Sequence, residues 1–335
     1  MSAVHVVVPP GVDDPRRPSG GNVYDRRLCR GLEAAGWTVH EHPVPPTRGA
    51  LAARLAGMPD GATVLVDGLV VGAAPDEVVP QAGRLRLVLL LHMPPGAGEV
   101  AALGAARAVV TTSGWTRRQL LACCAVAGDR VHVAEPGAEP VAAAAGTDTG
   151  AGLLCVAALT PAKGHTVLLA ALAGVRDLPW TCDCVGSVDR DPGHAQLLRH
   201  WARDLGLAHR VRFAGARTGP DLEASYAAAD VLVHASRSES YGMVLTEALA
   251  HGLPVVATAA GAVPETVGRL PDGTRPGLLV PPDDPTALAA ALRQWLTDPA
   301  LRTRLRDAAR SRRTGLAGWE QTVACVGHVL SEVAA

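Results

Sequence analysis

The chain has 335 residues, 48% of them apolar, which is length for two domains with cores of their own. Its 31 basic and 32 acidic side chains leave a net charge of −1, and the halves agree: residues 1–150 hold 13 Arg against 14 acids, the remainder 18 basic against 18. That balance excludes a phosphate-coating nucleic-acid binder and argues against an anionic membrane surface as partner. The opening MSAVHVVVPPGVDDP lacks the charged start and apolar length of a signal peptide, and no stretch is long enough to span a bilayer. Seven scattered Cys, an odd number, fit a reduced, cytoplasmic chain.

In chain order, β-rich runs alternate with helical patterns, the signature of parallel α/β architecture. Strands are predicted at 3–9, 38–44, 63–67, 85–92, 108–112 and 130–134, with helices at 23–35, 47–57 and 115–126 among them. Near-continuous apolar runs such as LRLVLLL suit strands covered on both faces. The Gly/Pro/Ala/Thr-rich stretch 136–150 interrupts the rhythm as a linker would. A second series follows, with strands at 153–158, 180–185, 210–214, 231–235, 254–258 and 277–280 and helices alone over 285–333. The expected organisation is two doubly wound, Rossmann-like parallel-sheet domains, 1–145 and 146–315, facing a central cleft. A terminal helix, 316–335, would pack back across their junction. Ligands of such sheets bind outside the carboxyl ends of the strands.

The composition isolates one residue. Lys163 is the only lysine beside 30 arginines, so it is a candidate for work that a compact ammonium does and a planar guanidinium does not; survival by chance is the alternative. The stretch Ser236–Thr258 runs from a strand through a turn carrying Glu239 into a helix that begins near Tyr241 or Gly242 and carries Glu247 two turns in. The first amides of that helix, Gly242, Met243 and Val244, would favour an anion. Acids at a helix start are also ordinary caps.

This stretch resembles the E-x7-E motif of the retaining, GT-B-fold glycosyltransferases of family 4. The likeness extends over nearly the whole second half of the chain, through Leu153–Gly164, VGS at 185–187, RVRFAGA at 210–216, DLEASYAAADVLVHAS at 221–236 and GLPVVATAAGAVPETV at 252–267. It is looser in the first half, at 19–39, 89–94 and 108–115. The resemblance implies a hexosyltransferase that moves a sugar from a nucleoside-diphosphate sugar, which is a co-substrate, and needs neither cofactor nor metal. Glu239 would orient donor-sugar hydroxyls, Glu247 the ribose hydroxyls, and Lys163 the diphosphate. Gly20 and Gly21 would let the backbone approach that diphosphate, and His92 would face the reacting sugar.

Ser113 reaches the diphosphate or caps a helix. Asn22, Tyr24 and Asp67 are candidate acceptor ligands, with a cap and a turn as the alternatives for Asn22 and Asp67. The family's Arg ahead of Lys-Gly is absent: Ala158 stands there, and Arg16, Arg17 or Arg26 is expected to substitute. The string Asp189-Arg190-Asp191 matches a metal-binding D-x-D, but the Pro-Gly after it reads as a polar turn. Lys163 and helix amides suffice, in principle, to meet charge developing on a leaving diphosphate.

A nicotinamide dehydrogenase would need G-x-G-x-x-G directly after a strand, and a P-loop enzyme G-x-x-x-x-G-K-[ST]; neither occurs. A nucleotide-sugar epimerase of the same fold and a catalytically weak nucleotide-sugar-binding partner, the latter suggested by Ala158, stay open. UDP is the favoured donor base and a small soluble metabolite the favoured acceptor.

Overall fold

A computed structural model describes residues 2–335, which divide into two compact units. The first unit comprises the residues up to Asp13, then Gly21–Gly137 and Ala317–Ala335; the second comprises Asp14–Gly20 and Ala138–Leu316.

The first sheet uses β1 (Ala3–Val8), β2 (Thr38–Pro43), β3 (Thr63–Asp67), β4 (Arg86–Leu91), β5 (Ala108–Thr111) and β6 (Val131–Val133). Between them run α1 (Gly20–Ala34), α2 (Ala50–Ala56), α3 (Gly68–Ala73), α4 (Val100–Ala105) and α5 (Gly114–Cys123). All pairings are parallel, in the order β2-β1-β3-β4-β5-β6.

The second sheet uses β7 (Gly152–Val156), β8 (Thr181–Val185), β9 (Val211–Gly215), β10 (Val231–His234), β11 (Val255–Thr258) and β12 (Gly277–Val280), in the order β12-β11-β10-β7-β8-β9, again parallel throughout. Its helices are α6 (His165–Ala173), α7 (Pro192–Asp204), α8 (Pro220–Ala227), α9 (Met243–Ala250), α10 (Val263–Val267), α11 (Pro285–Thr297) and α12 (Pro299–Arg313). The last helix, α13 (Trp319–Ala334), belongs to the first unit.

The twelve strands fall on the twelve runs read from the sequence; the central ones are apolar because both their faces are covered, whereas edge strand β2, TVHEHP, has no buried residue. Val64, Leu65, Val66, Leu87, Val88 and Leu89 have no exposed surface. Each sheet separates two apolar layers. In the first unit, Val4, Val6 and Val8 of β1 pack with α1 and α13, while Val7 turns to the layer with α2 and α3. The pleat enforces that division. In the second unit, Leu153 and Cys155 face α6, α7 and α11, whereas Leu154 faces α8 and α9.

The first helix begins at Gly20, earlier than the apolar periodicity indicates, because glycines supply no periodic signal. Its buried stripe is Asp25, Leu28, Cys29 and Leu32, at i, i+3, i+4 and i+7. Against it lies α13, brought so close that a Cβ on Gly31 would overlap Cγ2 of Val323. Trp319, heading α13, meets the Tyr24 ring edge-on at 5.6 Å between centroids.

The close helix contact predicts that Gly31→Ala lowers stability by about 1–3 kcal/mol through overpacking, read by denaturant or thermal unfolding. Combining it with Val323→Ala should recover part of that loss, since the two side chains compete for one space.

Candidate active site

The second unit assembles its polar side chains at the carboxyl ends of β7 and β10. After β7 a short turn, Pro161–Lys163, leads to Gly164, which has φ +66° and starts α6. A Cβ on Gly164 would overlap the carbonyl oxygen of Ala235, just beyond β10. Only glycine permits both the left-handed backbone and this approach. The turn is further tied down by Arg237, whose amide donates to Ala162 O at 2.9 Å and whose guanidinium donates to Pro161 O at 2.9 Å.

Lys163 is thereby delivered to Glu239. Its ammonium donates to Glu239 Oε1 at 2.6 Å, and His234, the last residue of β10, lies with Nε2 2.9 Å from the same oxygen. Glu239 is 8% exposed and His234 2%. Burial pulls the Glu239 carboxyl upward, but the hydrogen bond and charge of His234, then those of Lys163, outweigh it and hold the group well below the ordinary carboxylate range. The backbone of Glu239 is fixed too: Ala262 N donates to its carbonyl at 2.9 Å, and Gly261, φ +57°, packs so closely that a Cβ would overlap that oxygen.

Downstream, Gly242 (φ +90°) caps α9, whose first turn carries Met243 and Val244. Leu245 N already bonds Gly242 O at 2.9 Å, so the amides before it are those that α-helix geometry leaves open. Glu247, on the same helix, accepts from Tyr226 Oη at 2.6 Å with Oε2. His251 stacks on the Tyr226 ring at 4.8 Å and bridges the Glu247 carbonyl and the Glu223 carboxylate, each at 2.8 Å. Burial raises the Glu247 carboxyl, and the Tyr226 hydrogen bond only partly offsets this.

In the first unit the polar group sits at the carboxyl ends of β3 and β4. His92 follows β4, and its Nε2 lies 2.9 Å from Asp25 Oδ1 and 3.0 Å from Asp67 Oδ2. Asp67 ends β3 and caps α3, its Oδ1 accepting from Leu69 N at 2.6 Å. Gly21 packs on the imidazole; a Cβ there would stand 3.4 Å from Cδ2. Among the described residues, Asp25, Asp67 and His92 are the one trio of acidic, His or Cys groups close enough to share a metal ion.

Several expected ligands have other employment. Tyr24 is not open to an acceptor: it is 1% exposed and its hydroxyl donates to Ala134 O at 2.9 Å. Ser113, 2% exposed, caps α5 by accepting from Thr116 N at 3.0 Å. Asn22 lies within α1 rather than at its cap. Of the arginines proposed to stand in for the residue missing at Ala158, Arg26 is committed to Asp13 and Glu41, and Arg16 to Asp14. Asp191 of the D-x-D string caps α7 through His194 N at 2.9 Å.

His234, Tyr226 and Asp25 were not singled out by motif. Two of them nonetheless leave a trace: His234 is a polar end to an apolar strand, and Asp25 is a charge within the buried stripe of α1. Among the described residues no helix is long and apolar enough to cross a membrane.

Removing the ammonium tests the cluster. Lys163→Met should cost no more than about 1 kcal/mol, because that side chain is 32% exposed and water already screens it. Glu239→Gln should remove stability that is present above pH about 4.3 and lost as the pH falls through the depressed folded pKa. Unfolding of wild type and E239Q between pH 7 and pH 3 should therefore converge on acidification.

Residues 145–312, half of the chain, match the family model described as glycosyl transferases group 1. A D-inositol 3-phosphate glycosyltransferase 1 of Catenulispora acidiphila is 32% identical over 309 residues, covering 85% of this chain and 69% of that protein. A D-inositol 3-phosphate glycosyltransferase of Kineococcus radiotolerans is 36% identical over 181 residues, 51% of this chain and 41% of that one. Among solved structures, sucrose-phosphate synthase from Thermosynechococcus elongatus superposes with a TM-score of 0.81 at 22% identity, covering 99% of both chains. Anabaena HepE, in complex with UDP and glucose, does so at 0.78 and 18%, covering 99% of this chain and 100% of that one. Both place the two six-stranded sheets in the GT-B fold, and the sequence matches establish that this chain belongs to the group 1 glycosyl transferases.

Proposed function

We propose that this chain is a retaining, metal-independent hexosyltransferase that carries a sugar from a nucleoside diphosphate, with UDP favoured, to a hydroxyl of a small acceptor. The observation that carries this is the convergence of Lys163 and His234 on Glu239 Oε1, beside the open amides of α9. Breaking the sugar–phosphate bond leaves negative charge on the diphosphate. An ammonium and helix-terminal amides already held in place stabilise that charge without reorganising. In this reading Lys163 pairs with the diphosphate, Glu239 accepts from sugar hydroxyls, and Glu247, steadied by Tyr226, accepts from the ribose. The C1–O bond to phosphate breaks as the acceptor oxygen bonds C1 on the same face, and the acceptor proton leaves on the departing phosphate oxygen. Glu239 is then an orienting group rather than the nucleophile of a retaining glycosidase.

UDP as base draws support from HepE, whose structure holds UDP and glucose, and a polyol acceptor from the names of the curated relatives. Arg237, whose guanidinium donates to Pro161 O in the turn that carries Lys163 and also pairs with Asp283, is a further candidate cation for the place left by Ala158.

The test is nucleoside diphosphate release from UDP-, GDP- and dTDP-sugars, with and without EDTA and with polyol and polyol-phosphate acceptors. One donor should be consumed whether or not EDTA is present. Glu239→Ala and Lys163→Ala should each lower kcat/KM at least about a hundredfold, the scale of losing one charge-stabilising donor. Release abolished by EDTA overturns metal independence. Binding of no donor overturns the whole reading, and binding without release from any donor–acceptor pair leaves a nucleotide-sugar-binding protein.

A further inference from the structure

We propose that Asp25 and Asp67 clamp His92 as a permanently charged imidazolium, which makes Asp25 a positioning residue of the first unit. Its bearing on turnover rests on the glycosyltransfer reading above, whereas the clamp itself does not.

The geometry admits few protonation states. The Nε2 atom of His92 faces Asp25 Oδ1 at 2.9 Å and Asp67 Oδ2 at 3.0 Å. Were Nε2 bare, its lone pair would point at two carboxylate oxygens inside the protein, an arrangement that burial makes prohibitive. Nε2 therefore carries hydrogen. One N–H serves one acceptor well: the hydrogen bond is made to Asp25, and Oδ2 of Asp67 has no hydrogen-bond donor although Asp67 is only 2% exposed. An oxygen so placed, with no hydrogen bond of its own, favours positive charge on the ring, and two carboxylates supply the reason for a second proton at Nδ1.

Neither acid is free to withdraw. Asp67 is fixed by capping α3 through Leu69 N. Asp25 projects from the apolar stripe it shares with Leu28, Cys29 and Leu32, at 3% exposure. A lone charge in that stripe would cost several kcal/mol, so its retention there calls for a partner of opposite sign.

The electrostatics of the cluster agree. Burial pulls the imidazole down, but the hydrogen bond and charge of Asp25, followed by those of Asp67, push it up to about 10. The Asp25 carboxyl is pushed up to about 6, by burial first and by the neighbouring Asp67, with His92 opposing. Tyr24 also lies against the ring, edge-on at 5.2 Å, and burial keeps its phenol neutral; the thiol of Cys325 beside Tyr24 is likewise raised by burial.

A clamped imidazolium cannot take a proton from an acceptor hydroxyl. Its charge and protonation are instead fixed at the carboxyl edge of the first sheet from pH 6 to 9. That assigns the acceptor proton elsewhere, in keeping with its departure on phosphate.

Histidine-selective 15N and 13C labelling of the full chain, with His92 assigned through His92→Gln, reads the clamp directly. In wild type the His92 ring should keep imidazolium shifts up to pH 9. In Asp25→Asn, an isosteric change, its inflection should fall by at least ~2 pH units, into the ordinary histidine range. Nucleoside diphosphate release should follow suit: no ionisation of His92 in the wild-type profile between pH 6 and 9, but a kcat in D25N that drops about tenfold as pH rises through the new inflection. The donor KM should hold within about twofold. A purely structural role for Asp25 would lower activity at every pH alike, and that result overturns the proposal. So does a wild-type His92 that titrates near 6.5, an inflection unmoved in D25N, or micromolar Mn2+ broadening the His92 signals, which would make the occupant a cation rather than a proton. Should D25N fail to fold, the wild-type titration and Asp67→Asn decide the matter. Should no donor turn over, the ring titration still stands or falls by itself.

Discussion

One carboxylate oxygen organises the second unit's site. Glu239 Oε1 receives Lys163 from the turn after β7 and His234 from the end of β10, so two loops distant in sequence are registered on a single atom. The backbone makes this possible. Gly164 and Gly261 each stand where a Cβ would collide with a carbonyl oxygen, of Ala235 and of Glu239 respectively, and each has the positive φ that other residues resist. The charged pair is thus set within a framework of close backbone contacts, and its geometry does not depend on the long lysine side chain finding its own place.

The two polar clusters solve opposite electrostatic problems. In the second unit one carboxylate faces two nitrogenous groups, and its proton is driven off. In the first, one imidazole faces two carboxylates, and its proton is held. Both sit at carboxyl ends of parallel strands, where loops are free to carry polar groups and the sheet's amides have finished pairing. Burial sharpens both, since the low dielectric magnifies each charge–charge contact.

Much of this was legible in the sequence. Strand positions emerge from apolar runs such as TVLVD and LRLVLLL, and the order of the second half carries its family likeness in motifs of fixed spacing. Lys163 announces itself by being alone, and His92 and Asp67 by ending strands. What stayed hidden depends on contacts far apart in sequence. Tyr24 looks like a ligand beside the Gly pair, yet its hydroxyl is taken by the carbonyl of Ala134, 110 residues on. Arg26 looks like a spare cation until Asp13 and Glu41 close on it from two neighbouring segments. Asp25 could have been found locally, as a charge in a buried helical stripe, but its meaning requires His92 across the sheet edge.

The placement of α13 has a consequence for how the chain comes into being. The first unit's core layer of Val4, Val6, Leu28 and Leu32 is completed by Val326, Val329 and Leu330, residues encoded after the entire second unit. During vectorial synthesis the ribosome therefore presents a finished second sheet while the first still lacks one of its covering helices. For that interval β1 and α1 expose apolar surface that waits for α13, which follows the second unit in the chain, so the amino-terminal unit is the later one to mature.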